Sequence, residues 1–143
     1  MSDANQSSAR CFVDTNIWLY AFIESQDQDK SALARQVIQH NDIIVSTQVI
    51  NEVCVNLIKK AKFDEADLQN LIESFYSKYT VALISREALL KASALRQRYQ
   101  FSFWDSLIVS CALAEGATIL YSEDLDTSLL VENRLRIVNP LIH

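Results

Sequence analysis

Four short stretches of this chain each place a carboxylate where an apolar run gives way to a turn or opens a helix. Asp14 follows Cys11–Val13 in CFVDTNIWLY, Glu52 lies in STQVINEV, Asp105 in FSFWDSLIV and Asp124 in YSEDLD. Two carboxylates about 4 Å apart repel by roughly 4 kcal/mol at an effective dielectric of 20. A convergent set is therefore tolerable only with shared protons or a bound cation. Oxygen ligands without thiolate or imidazole suit Mg²⁺ or Mn²⁺ better than zinc. Such an ion can acidify a bound water and neutralise a phosphoryl oxygen, which is the chemistry of metal-assisted phosphodiester hydrolysis.

Each residue also has a plainer explanation. Asp14 can cap the helix that begins near Thr15. Ser102-Phe-Trp-Asp105 has the spacing of a capping box. Glu52 shares a helical face with Gln48 and Asn56, away from the apolar stripe, as a solvated face would. Asp124 has Glu123 and Asp126 beside it, as an ordinary acidic turn would.

The elements that must position these groups follow from apolar patterning. Cys11–Val13, Ile43–Val45, Val81–Ile84, Thr118–Tyr121 and Leu135–Val138 are predicted strands. Helices are expected over Asn16–Glu24 and Ser31–His40. A third follows a cap at Ser46 or Thr47, with the stripe Val49, Ile50, Val53, Cys54 and Leu57. Three more open at Asp64, Ser85 and near Ser102, the last closed by Gly116. Strands alternating with helices imply a parallel sheet covered on both faces. Ligands of such sheets bind beyond the C-terminal strand ends, where Asp14 and Asp124 stand.

Composition narrows the chemistry further. A length of 143 residues, half of them hydrophobic, suits one core. Residues 11–140 are expected to form a single domain, with a loose polar tail over 1–10 and a short tail over 141–143. The single glycine, Gly116, and single proline, Pro140, exclude a Walker loop and a dinucleotide fingerprint. Cys11, Cys54 and Cys111 lie in apolar stretches and read as buried thiols in a reducing compartment. No run is long enough to span a membrane and the start lacks a signal-peptide pattern, so the expected location is cytoplasmic. A net charge of −5 argues against broad electrostatic nucleic-acid binding, but not against an enzyme with a local site. Trp18 and Trp104 both fall in helical apolar patterns and read as core residues. Lys59, Lys60 and Lys62 form the tightest basic cluster, although cations also belong at a helix C-terminus on dipole grounds.

Taken in order, the segments VDTNIWLY, STQVINEV, FSFWDSLIVSCAL and TILYSEDL resemble the PIN-domain nucleases from about Cys11 to Pro140, and the ending RIVNP resembles the bacterial toxin-like, VapC-like members. The resemblance implies a three-layer α/β/α sandwich around a mainly parallel sheet of about five short strands. It implies an Mg²⁺- or Mn²⁺-dependent endoribonuclease acting on single-stranded RNA. Asp14, Glu52, Asp105 and Asp124 would form the acidic site, with Asp14, Asp105 and Asp124 as metal ligands. Asn16 would orient Asp14 or a water, Ser122 would hydrogen-bond the site from the last strand, and Asp126 would be an accessory ligand. It further implies a small antitoxin partner and a homodimer. A PIN-fold module that binds RNA or protein without cutting is the alternative. A haloacid-dehalogenase-type phosphatase fits less well, because Asn16 stands where it needs a second acidic residue.

Overall fold

The computed structural model describes residues 9–23, 27–125 and 129–142. Its strands are β1 (Arg10–Val13), β2 (Asp42–Ser46), β3 (Thr80–Ala82), β4 (Ile119–Tyr121), β5 (Leu130–Val131) and β6 (Leu135–Val138). Its helices are α1 (Thr15–Phe22), α2 (Gln28–His40), α3 (Thr47–Ala61), α4 (Glu65–Lys78), α5 (Arg86–Tyr99) and α6 (Phe103–Ala114). The six strands form one sheet in the order β3-β2-β1-β4-β6-β5, parallel except for β5 against β6. Consecutive residues Cys11, Phe12 and Val13 are all fully buried, as are Ile44 and Val45. Neighbours on a strand point to opposite faces, so both faces of the sheet centre are covered.

Short polar side chains start the helices. Ser46 accepts from the Val49 amide, Ser85 from Ala88 and Ser102 from Asp105. Asp64 and Asp67 close a reciprocal capping box on α4. After α6, Gly116 takes φ +76°, and the amides of Gly116 and Ala117 bond Leu113 O and Ala112 O, a Schellman ending. Across the sheet, Trp18 is 1% exposed, donates its Nε1 to Val13 O at 3.0 Å and packs edge-on to Phe75 and Tyr79. It ties α1 to α4 and is a core residue.

Two expectations need correction, and one element is added. The strand starts at Arg10, whose Nε donates to Glu115 O at 2.7 Å and whose Nη1 meets Asp42 at 3.0 Å, so Arg10 is no part of a loose tail. Leu141 is buried against the core rather than lying in a free tail. The sheet has a sixth strand, β5, joined to β6 by a tight turn with Glu132 at φ 53° and Asn133 at φ 57°. Positive φ at both central positions is type I′ geometry, ordinarily signalled by Asn-Gly. Here it is built without glycine, so the hairpin left no recognisable trace in the sequence.

Candidate active site

The central strand decides the site. In parallel register Val13 stands beside Tyr121, so the next step of each strand brings Asp14 next to Ser122. The Asp14 amide continues the ladder to Tyr121 O at 3.0 Å. The helix after β1 turns toward β2, while β4 lies on the other side of β1, so this edge is where the strand order reverses and a crevice opens.

From that point three successive residues reach three different partners. Asp14 Oδ2 accepts from Ser122 Oγ at 2.9 Å, and Oδ1 accepts from the Thr15 amide at 2.7 Å. Thr15 Oγ1 donates to Glu52 Oε1 at 2.8 Å. Asn16 Nδ2 donates to Asp124 Oδ2 at 2.7 Å. Asn16 is thus held to Asp124, not to Asp14. Ser122 follows β4 rather than lying in the last strand, and its hydroxyl also accepts from the Asp124 amide at 3.3 Å and the Leu125 amide at 3.4 Å. Glu123 turns elsewhere, pairing with Lys30 at 2.9 Å and Tyr20. Asp126 lies outside the described residues.

On α3, Val49, Ile50, Val53, Cys54 and Leu57 are buried, which leaves Gln48, Glu52 and Asn56 at four-residue spacing on another face. That face is not simply solvated. With Asp14, Thr15, Asn16, Trp104, Asp105, Ile108 and Asp124 it lines one open depression. All four candidate carboxylates therefore meet there. Asp105 comes from the first turn of α6, and only Ser102's half of the expected box forms: no described residue donates a hydrogen bond to the Asp105 carboxylate.

Asp14 is the electrostatic centre of the depression. It is 8% exposed, and burial pushes its carboxyl up to about 6. The Thr15 and Ser122 hydrogen bonds oppose that shift, while Asp105 and Asp124 add to it. Asp14 both caps α1 and faces like charges, so the two explanations of this residue coexist. The cysteines take no part: burial pushes the Cys11 thiol up to about 12 and Cys111 to about 11.

Sequence reasoning missed three features of this edge. Thr15, which holds Glu52, was hidden inside a motif read for its neighbours. Gln48 has a buried Nε2 with no hydrogen-bond partner among the described residues. Trp104 is 63% exposed at the rim instead of lying in the core. The signal for Trp104 was available: it sits in the first turn of α6, before the wholly buried run Ser106–Leu113 begins.

A PIN-domain family model matches residues 11–132, more than half of the chain, with the acidic edge inside the match. The chain belongs to the PIN-domain family. Among solved structures, a toxin–antitoxin complex from Klebsiella pneumoniae is similar at TM-score 0.68 and 21% identity, covering 91% of this chain and 97% of that one. VapC20 of Mycobacterium tuberculosis, described as a sarcin–ricin loop cleaving toxin, matches at TM-score 0.66 and 17% identity over 81% and 91% of the two chains. VapBC2 from Rickettsia felis, bound to a DNA fragment from its promoter, matches at 0.57 and 20% identity over 91% and 99%. No curated protein matches the sequence. The PIN fold of this chain is thus the fold of VapC-type toxins, and no described helix is long and apolar enough to cross a membrane.

Proposed function

We propose that this PIN-domain protein is a divalent-metal-dependent endoribonuclease that hydrolyses single-stranded RNA and serves as the toxin of a toxin–antitoxin pair. The observation that carries the reading is the meeting of Asp14, Glu52, Asp105 and Asp124 in one depression at the strand-order switch of a PIN fold. The donor set is all oxygen, and the unfavourable charge on Asp14 is the kind a cation relieves. Asp14, Asp105 and Asp124 would hold Mg²⁺ or Mn²⁺. When bound, the ion supplies charge neutralisation at the phosphate and acidifies a coordinated water.

The chain's own side chains do the positioning. Ser122 keeps an Asp14 oxygen oriented, Asn16 fixes Asp124, and Thr15 fixes Glu52. Among the described residues no three acidic groups are close enough to grip one ion as they stand. Asp105, which receives no hydrogen bond from a described residue, is the side chain left to swing inward. The amino ends of α1, α3 and α6 all open at the depression, and helix amino ends favour the anionic phosphate. Within the same reading belong a small antitoxin, a homodimer, a cytoplasmic location and a single nuclease domain over 11–140. The antitoxin is supported by the toxin–antitoxin assemblies among the structural neighbours.

The test is direct. Purified protein should cut a single-stranded RNA with Mg²⁺ or Mn²⁺, stop in EDTA, and leave 5′-phosphate and 3′-hydroxyl ends. Attack by the ribose 2′-hydroxyl would give a cyclic phosphate and calls for an acid–base pair such as two histidines. His40 and His143 are the only histidines, and neither lies near the four carboxylates in sequence. Activity in EDTA, or cyclic phosphate on the products, would refute the mechanism. Expression alone should slow bacterial growth, and co-expression of a small protein encoded beside it should restore growth.

A further inference from the structure

We infer that Trp104 is a substrate-positioning residue: its indole forms a stacking platform for a base of single-stranded RNA at the rim of the acidic depression, with the Gln48 amide as a donor on the same nucleotide unit. The inference rests on the nuclease reading above and deepens it.

An indole is a large apolar surface whose usual role is burial. Trp18 plays that role and is 1% exposed, whereas Trp104 is 63% exposed. Packing therefore does not account for Trp104. Its place does: it lines the same depression as Asp14, Asp105 and Asp124, directly before Asp105 in the chain and one turn from Ile108. A base stacked there would hold its own phosphate beside the carboxylates. Stacking on an aromatic face is tolerant of base identity and requires an unpaired base, which selects single strands.

Gln48 is the independent second observation. It lines the same depression from the first turn of α3, and its Nε2 is buried with no hydrogen-bond partner among the described residues. A buried donor without an acceptor is costly, and a phosphate, sugar or base oxygen in the depression would satisfy it. A cation also stands nearby: Arg96 lies 5.9 Å from the ring centre of Phe103, the residue before Trp104.

The two tryptophans make the test clean, since Trp104→Phe leaves only the buried Trp18 as a fluorophore. With Ca²⁺ in place of Mg²⁺, an uncut single-stranded RNA should quench the emission of the wild-type protein and leave Trp104→Phe unchanged. Trp104→Ala with Mg²⁺ should raise KM roughly five- to hundredfold with kcat little altered, as expected for removing one base stack. Trp104→Phe should fall between, and Gln48→Leu should also raise KM. Quenching that persists in Trp104→Phe, or a KM for Trp104→Ala within about twofold of wild type, would overturn the inference. So would a change in solution mass on Trp104→Ala, which would assign the indole to a protein interface. RNA-dependent quenching without cleavage would keep the inference and sink the nuclease reading, so the two fail separately.

Discussion

Asp14 and Glu132 are carboxylates at opposite extremes of this molecule. Glu132 sits in the β5–β6 turn among cations: Lys91 Nζ lies 2.6 Å from its Oε2, Arg98 lies 3.8 Å away, and its amide donates to Tyr99 Oη at 3.0 Å. The Lys91 hydrogen bond leads in holding its carboxyl pKa below the usual carboxylate range. Asp14 is far more buried, and its charged neighbours are Asp105 and Asp124. Its carboxyl is pushed the other way, to about 6. Helix α5 resolves the electrostatics of the hairpin with Lys91 and Arg98, and with Tyr99 it also holds Glu132 at a positive φ that side chains other than asparagine and glycine seldom adopt. No described cation lines the acidic depression, and under the proposed function its charge is offset by a metal ion from outside the chain. One carboxylate is stabilised by cations of the chain itself, and the other is destabilised by burial and like charges.

The sharpest way to break this contrast is to neutralise each edge. Asp14→Asn and Asp105→Asn should abolish RNA cleavage. Their thermal melts in EDTA should be unchanged or raised, because each substitution removes like-charge repulsion. A variant that melts well below wild type and still cleaves would show that helix capping was that residue's only role. A smaller loss is expected at Thr15→Val, which frees Glu52. Removing such an outer hydrogen bond typically costs about 10–100-fold in activity, with the melt little changed, and an unaffected rate would remove Thr15 from the site.

Next in size is a pH effect on stability in metal-free protein. The unfolded carboxyl titrates near 4 and the folded one near 6, so between these values the native state binds the extra proton. The favourable contribution is complete below the unfolded value and is lost as pH rises through about 6. At most about 3 kcal/mol is involved, from a shift of roughly two units. Urea titrations in EDTA should show stability falling from pH 4 to 6.5, and Asp14→Asn should flatten that slope. A wild-type curve that rises across this window would contradict the burial argument.

The smallest effect belongs to Glu132. Its depressed pKa gives stability that is present above the unfolded value and lost as pH falls. Glu132→Gln should cost about 1 kcal/mol or less, as for a partly exposed ion pair, and should leave cleavage intact. Loss of cleavage there would erase the distinction between the two clusters.

Much of this architecture was legible in the residues, and the reasons are local. Apolar triplets such as Phe12 with its neighbours, and the i, i+3, i+4 stripe from Val49 to Leu57, fix strand and helix by periodicity alone. Ser46, Asp64, Ser85 and Ser102 mark helix starts because an exposed amide needs a nearby acceptor. The order of the four acidic motifs was likewise readable along the chain. The pairings were not. Only the parallel register of β1 and β4 puts Ser122 on Asp14, and only the placement of α3 gives Thr15 a partner in Glu52. Trp104 matched an apolar pattern, yet tertiary packing left it at the rim because burial on α6 begins two residues later. The glycine-free I′ turn escaped because its φ values are held by contacts with α5, from a distant stretch of sequence. Local sequence determined which elements form and where each carboxylate stands on its own element. The tertiary structure decided which of them meet, since burial and charge repulsion act through space between residues that lie far apart along the chain.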